Sequence, residues 1–126
     1  MLKLSSRADA TFWLDIVPGV RIQFRPITSA MIIAGRRAAG NVFIAADEAA
    51  KQAEETRDVA GIALTRALVH KGIVAWEGIG DADGNPIPPT PEAIDQLLDV
   101  WPVFEAIDRL YVLPAFTTDA VAEKNG

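Results

Sequence analysis

The chain reads as an α+β domain, mainly α-helical, with an N-terminal β-hairpin followed by about four helices. Three observations predict this class. Apolar residues alternate with polar ones up to Ile27, and from Thr28 onward they recur at helical spacing. Residues 45–71 are rich in alanine, glutamate, lysine and arginine and hold no proline, the composition of a long helix. Turn and helix-start signals are concentrated in residues 76–92, between two helix-forming halves.

Residues 11–17 and 20–27 form the two strands of the hairpin, joined at Pro18-Gly19. Phe12, Leu14 and Ile16 share one face of the first strand. Val20, Ile22 and Phe24 share one face of the second, with Arg21, Gln23 and Arg25 opposite. A lone hairpin is marginal in water, so its apolar side must lie on helices or on another subunit. Self-association or strand addition through its two open edges is therefore expected, with Phe24 a contact residue.

Arg25-Pro26 ends the second strand, Thr28-Ser29 can cap a helix over 29–39, and Gly40-Asn41 stops it. Within that helix the apolar run Met31-Ile32-Ile33-Ala34 is continuous enough to call for burial on more than one side, in the core or against a partner. The long helix at 45–71 has a weakly amphipathic first half that can be exposed, kinked or broken. Val59, Ile62, Ala63, Leu64, Ala67 and Leu68 then make a heavier stripe. Gly61 is its weak point and Gly72 its stop. Beyond residue 90 come helices at 91–99, with Ile94, Leu97 and Leu98 inward, and at 102–112, with Val103, Phe104, Ile107, Leu110 and Tyr111 as its stripe and Pro114 as its end. One domain is expected over residues 1–116, with the hairpin at 11–27, the helical part at 28–113 and a flexible tail at 117–126.

The corner at 76–92 is turn chemistry. Asp83-Gly84 is a tight-turn dipeptide, and Thr90-Pro91-Glu92 sets an N-cap hydroxyl, a proline at the first helical position and a first-turn carboxylate in order. Asp81, Asp83, Asn85 and Glu92 also fall on positions 1, 3, 5 and 12 of a calcium loop. That template needs glycine at position 6, where this chain has Pro86, so the corner is expected to bind no metal.

Composition narrows the function classes. The chain has 126 residues, no cysteine and one histidine, which excludes disulfides, thiolate metal sites and cysteine nucleophiles. Ser5, Ser6 and Ser29 sit in no nucleophile setting, His70 has no second histidine, and Gly78-Ile79-Gly80 lacks the lysine of a phosphate loop. Enzyme activity and cofactors are not expected. A net charge of −5 opposes binding to nucleic acid or anionic membrane, and Arg36-Arg37 reads as solvated helix surface. No segment is long and apolar enough for a membrane span, and Met1 to Arg7 leads into no apolar run, so no export is expected. Trp13, Trp76 and Trp101 are anchors for a core or an interface. Trp76 borders the corner and is the one assigned to an interface. The candidate partner-binding residues are Met31, Ile32, Ile33, Trp76 and Phe24.

The hairpin ending Phe24-Arg25-Pro26-Ile27-Thr28, the helical middle, Trp76-Glu77-Gly78, Asp81-Ala82-Asp83-Gly84-Asn85-Pro86, Thr90-Pro91-Glu92 and the ending Glu123-Lys124-Asn125-Gly126 together resemble the tail assembly chaperones of long-tailed bacteriophages and prophages. The resemblance covers most of the chain. It implies a non-enzymatic factor in the host cytoplasm that coats the tape measure protein, keeps it soluble and helps recruit tail tube protein. The competing reading is a virion structural component, such as a small tail, connector or capsid-decorating protein.

Overall fold

Short-range alternation makes two strands, pairing with the second of them makes a third, and helical periodicity makes the helices, as the α+β, mainly helical class requires. The computed structural model describes Met1 and residues 10–117, so most of the tail expected at 117–126 lies outside the described residues. The elements are β1 (Phe12–Val17), β2 (Val20–Phe24), α1 (Ser29–Ala45), a short 3₁₀ turn (Ala50–Gln52), α2 (Glu54–Gly72), β3 (Ile73–Glu77), α3 (Pro91–Leu98), α4 (Trp101–Ile107) and a π-helical segment (Asp108–Val112) that continues helically to Thr117. They gather into two compact units. One holds the residues before Ile27 and from Gly72 onward; the other is Ile27–Lys71.

The first unit is built on an antiparallel sheet of order β1-β2-β3. Pro18-Gly19 closes β1 on β2, with Gly19 at φ +83° in the position where a proline-led turn needs a left-handed residue. The sequence pattern predicts no strand after Gly72, yet Ile73–Glu77 forms one. It pairs with β2 through Ile22↔Trp76 and Arg21↔Glu77. This corrects the expectation of a hairpin with two open edges, because the second edge of β2 is taken by β3. The alternation itself holds. Ile16, Ile22 and Phe24 are buried, while Arg21 faces out between Asp15 and Glu77.

Helices α3 and α4 supply the apolar layer of this unit. Thr90 caps α3 by accepting from the Ala93 N–H at 3.2 Å, Pro91 follows the cap, and Ala93, Ile94 and Leu98 turn inward. Val103, Phe104, Ala106, Ile107, Tyr111 and Val112 are buried along the next helix. Pro114 does not end that helix, which runs on to Thr117. A proline ring crowds the carbonyl four residues before it, and the wide π turn just upstream relieves that crowding.

Tyr111 locks the unit. Its ring stacks on Phe24 with centroids 4.0 Å apart, Phe12 tilts against both, and its hydroxyl donates to the Arg25 carbonyl at 2.7 Å. The Arg25 N–H in turn donates to the Gly72 carbonyl at 2.8 Å. A Cβ on Gly72 would overlap the Tyr111 hydroxyl, so the helix-to-strand junction needs glycine for this close approach.

Burial pushes the Tyr111 phenol well above its usual range, opposed only in part by the charge of Arg25. In the unfolded chain the phenol ionises near pH ~10. Its folded value is raised, so its contribution to stability is complete below that pH and is lost as pH rises beyond it, at about 1.4 kcal/mol per pH unit. Urea unfolding through the alkaline range should show this fall, and Tyr111→Phe should remove it. Tyr111 is the chain's one tyrosine, so tyrosinate absorbance in the folded protein near pH ~10 would refute the assignment.

The second unit is a helical hairpin. The Thr28 hydroxyl caps α1 by accepting from the Met31 N–H at 3.3 Å. Two boundaries differ from expectation. Gly40-Asn41 does not stop α1, because Gly40 takes no left-handed conformation there, and the helix ends instead where Ala46 becomes extended. The helix expected at 45–71 starts only at Glu54. Ahead of it the Asp47 carboxylate accepts from the Ala50 N–H at 2.8 Å and stabilises a separate turn, a local bond that competes with helix. Gly61 sits inside α2 without breaking it. Gly35 and Leu64 lie equally far along the chain from the connection between the helices. A Cβ on Gly35 would sit 3.4 Å from the Leu64 side chain and 3.5 Å from Leu68, so α1 and α2 run antiparallel and pack closely there. The buried row of α2 is Ala60, Thr65, Leu68 and Val69, rotated from the expected stripe, which leaves Val59 and Ile62 exposed.

Candidate functional site

The charged residues of the sheet and the corner are engaged in ion pairs and turn hydrogen bonds. On the outer face of the sheet Arg21 Nε lies 3.3 Å from Asp15 and Arg21 Nη1 3.3 Å from Glu77, while its guanidinium carbon sits 4.9 Å from the centre of the Trp13 ring. Both carboxylates are exposed to solvent and paired with one cation. They border an open recess of about 420 Å³ at the hairpin tip whose other walls are Ile16, Val17, Pro18, Gly19 and Val20.

In the corner the Asp81 carboxylate accepts from the Asp83 N–H at 2.9 Å and the Asn85 N–H at 3.0 Å. The Asp81 N–H donates to the Asn85 carbonyl at 2.9 Å, and a bridge joins Gly80 to Pro86. Asp81 thus serves as the keystone of an Asx-type turn. Among the described residues no group of three or more His, Cys, Asp or Glu is placed to hold a metal. Trp76 ties the corner to the sheet by donating from Nε1 to the Ile87 carbonyl at 2.6 Å.

The five expected partner-binding residues are not brought into one patch. Phe24 is 0 % exposed inside the aromatic stack, so it is a core residue and its assignment to an interface is corrected. Trp76 is half-buried beside Ile22 on the covered face of the sheet, its indole N–H already bonded. On α1 Met31 is buried against the expectation of contact, Ile32 is half-buried, and Ile33 is 51 % exposed. One residue of the apolar run therefore faces water.

The exposed apolar surface lies largely elsewhere. On the helical hairpin Ile33 and Ile44, three turns apart on one side of α1, are 51 % and 79 % exposed, and Val59 and Ile62 are exposed one turn apart on α2. In the other unit Val100, Trp101, Leu113 and Phe116 are exposed, with Trp101 stacked on Phe104 at 5.9 Å. Compared with protein-family models, curated proteins and solved structures, the chain matches none. No helix among the described residues is long and apolar enough to cross a membrane.

Val59 and Ile62 belong to the stripe expected to be buried, because a large apolar side chain in a helical pattern is ordinarily core, whereas Ile44 falls between the two expected helices. The signal that could have found Ile44 is its place beyond Gly40-Asn41, where α1 continues past the residues expected to end it. Trp101 stands at the first position of α4, where a side chain projects beyond the layer its helix buries.

Proposed function

We propose that this chain is a non-catalytic assembly factor of the tail assembly chaperone type, which binds the tape measure protein in the host cytoplasm and assists tail tube assembly. The observation that carries the reading is the helical hairpin Ile27–Lys71, which exposes Ile33, Ile44, Val59 and Ile62 on helices whose remaining outer positions are charged or small. Exposed aliphatic side chains at helical spacing are what an amphipathic partner helix needs, and weak contacts repeated along a long partner add through multivalency. The sequence resemblance supplies such a partner. Asp15, Arg21 and Glu77 act as an ion-paired group on the sheet and Asp81 as the centre of a turn.

Co-expression tests it. With this chain present, the tape measure protein should move from the pellet to the soluble fraction and co-purify. The paired substitution Ile33→Asp and Ile44→Asp should abolish rescue while circular dichroism stays unchanged, since both side chains are exposed. A tape measure protein that remains insoluble would defeat the reading, and fixed copy number in mature particles would replace it with the virion-component alternative.

A further inference from the structure

The outer side of the last helix carries a row that is its own complement. Trp101, Glu105, Arg109 and Leu113 follow one another at intervals of four, and all are exposed. In a regular α-helix such a row drifts around the axis, because four residues exceed a turn of 3.6. The π segment Asp108–Val112 widens the turn through which the row passes, with the Leu113 N–H donating to the Asp108 carbonyl. Four residues then fall short of a turn instead of exceeding it, so the drift is cancelled and Leu113 returns to the side of Trp101. The π turn thus serves the outer surface as well as Pro114.

The row is symmetric about the level of Ile107. Two such helices, antiparallel about a two-fold axis at that level, set Trp101 of one chain against Leu113 of the other and Glu105 of one against Arg109 of the other. Phe104 already backs Trp101 as a stacked ring, and Glu105 and Arg109 already point the same way, 3.2 Å apart within one helix. An isologous interface needs a surface that complements itself under a two-fold, and rows of side chains at this spacing are the ridges that interdigitate when helices pack.

We propose that the chain associates with a second copy of itself through this face, as an antiparallel pair of α4 helices in which Trp101 packs on Leu113 and Glu105 pairs with Arg109 across the two-fold. The occupant is a second copy because the order of apolar, acidic, basic and apolar residues is matched by its own reversal. Val100 and Phe116, both exposed, extend the apolar ends. Six side chains a side make a contact small against the ~800 Å² per partner of a stable complex, so the dimer is weak and depends on concentration. The proposal is independent of the chaperone reading, which uses the other unit.

Sedimentation equilibrium of the full chain from micromolar to millimolar concentration tests it. The mass should rise from 13.5 kDa toward twice that value. Glu105→Arg and Arg109→Glu should each weaken association by about tenfold or more, because each sets like charges against like across the axis. An equimolar mixture of the two variants should associate again as a heterodimer, and the double variant Glu105→Arg with Arg109→Glu should associate as the original does. Trp101→Ser should weaken association with unchanged circular dichroism. A chain that stays monomeric, single reversals that leave the mass curve unmoved, or folded variants that fail to recover on mixing would each overturn the proposal.

Discussion

Phe24→Ala should lower stability by about 3–5 kcal/mol, the cost of deleting a large ring from a site that cannot close over the space. Phe24 is fully buried, Tyr111 stacks on it at 4.0 Å, and Phe12 tilts against it at 6.4 Å. Removing the ring on which Tyr111 stacks leaves only the tilted contact of Phe12 with Tyr111, at 6.2 Å, and loosens the hydrogen bond from Tyr111 to Arg25. For a chain of this size that amounts to a fall in Tm of about 10 °C or more. Phe12→Ala supplies the control, since Phe12 is 37 % exposed and should lose markedly less. Phe24→Asp should do more damage than Phe24→Ala, because it leaves a carboxylate without a partner in the same apolar site. Urea unfolding followed by tryptophan fluorescence measures all three, and equal losses for Phe24→Ala and Phe12→Ala would refute the central role given to Phe24.

Gly78→Ala should be the second large effect. Gly78 sits at φ +83° just past β3, and a Cβ there would overlap the Gly19 carbonyl and stand 3.3 Å from the Val20 Cα. Both obstacles are backbone, so relief requires the β1–β2 turn to move away from β3. Gly84 has the same φ of 83° in open space and separates the two contributions. Gly84→Ala should cost only the conformational strain, about 1–2 kcal/mol. Gly78→Ala should cost that plus the displacement, about 2–4 kcal/mol in all. Equal losses at the two glycines would mean that the contact between the turn and the strand end contributes nothing.

How far the molecule was legible follows from which interactions are local. Thr90-Pro91-Glu92, Thr28 and Pro18-Gly19 act within a few residues of themselves, so the caps and the first turn could be read directly. β3 could not, because Ile73–Glu77 is a strand only by virtue of pairing with β2, which lies far away in the chain. The end of α1 and the start of α2 were misplaced because one local bond, from the Ala50 N–H to Asp47, interrupted a composition that otherwise favours helix. Among the expected contact residues Phe24 is buried, and that burial rests on Tyr111, which stacks on it from the far end of the chain.

By itself, then, the sequence determined the α+β class, the alternation that puts Ile22 and Phe24 on one face of the sheet, the caps, and the lack of cysteine and histidine clusters. Those follow from side-chain period, φ preferences and composition, which operate over a few residues. Only the tertiary structure decided that β3 closes an edge of the hairpin, that Tyr111 seals Phe24, and that Trp101 and Ile44 face water while Phe24 does not. Burial is a property of what packs from a distance. An apolar residue carries the same free-energy preference for the interior wherever it stands, and which of them is satisfied depends on the faces the chain brings together.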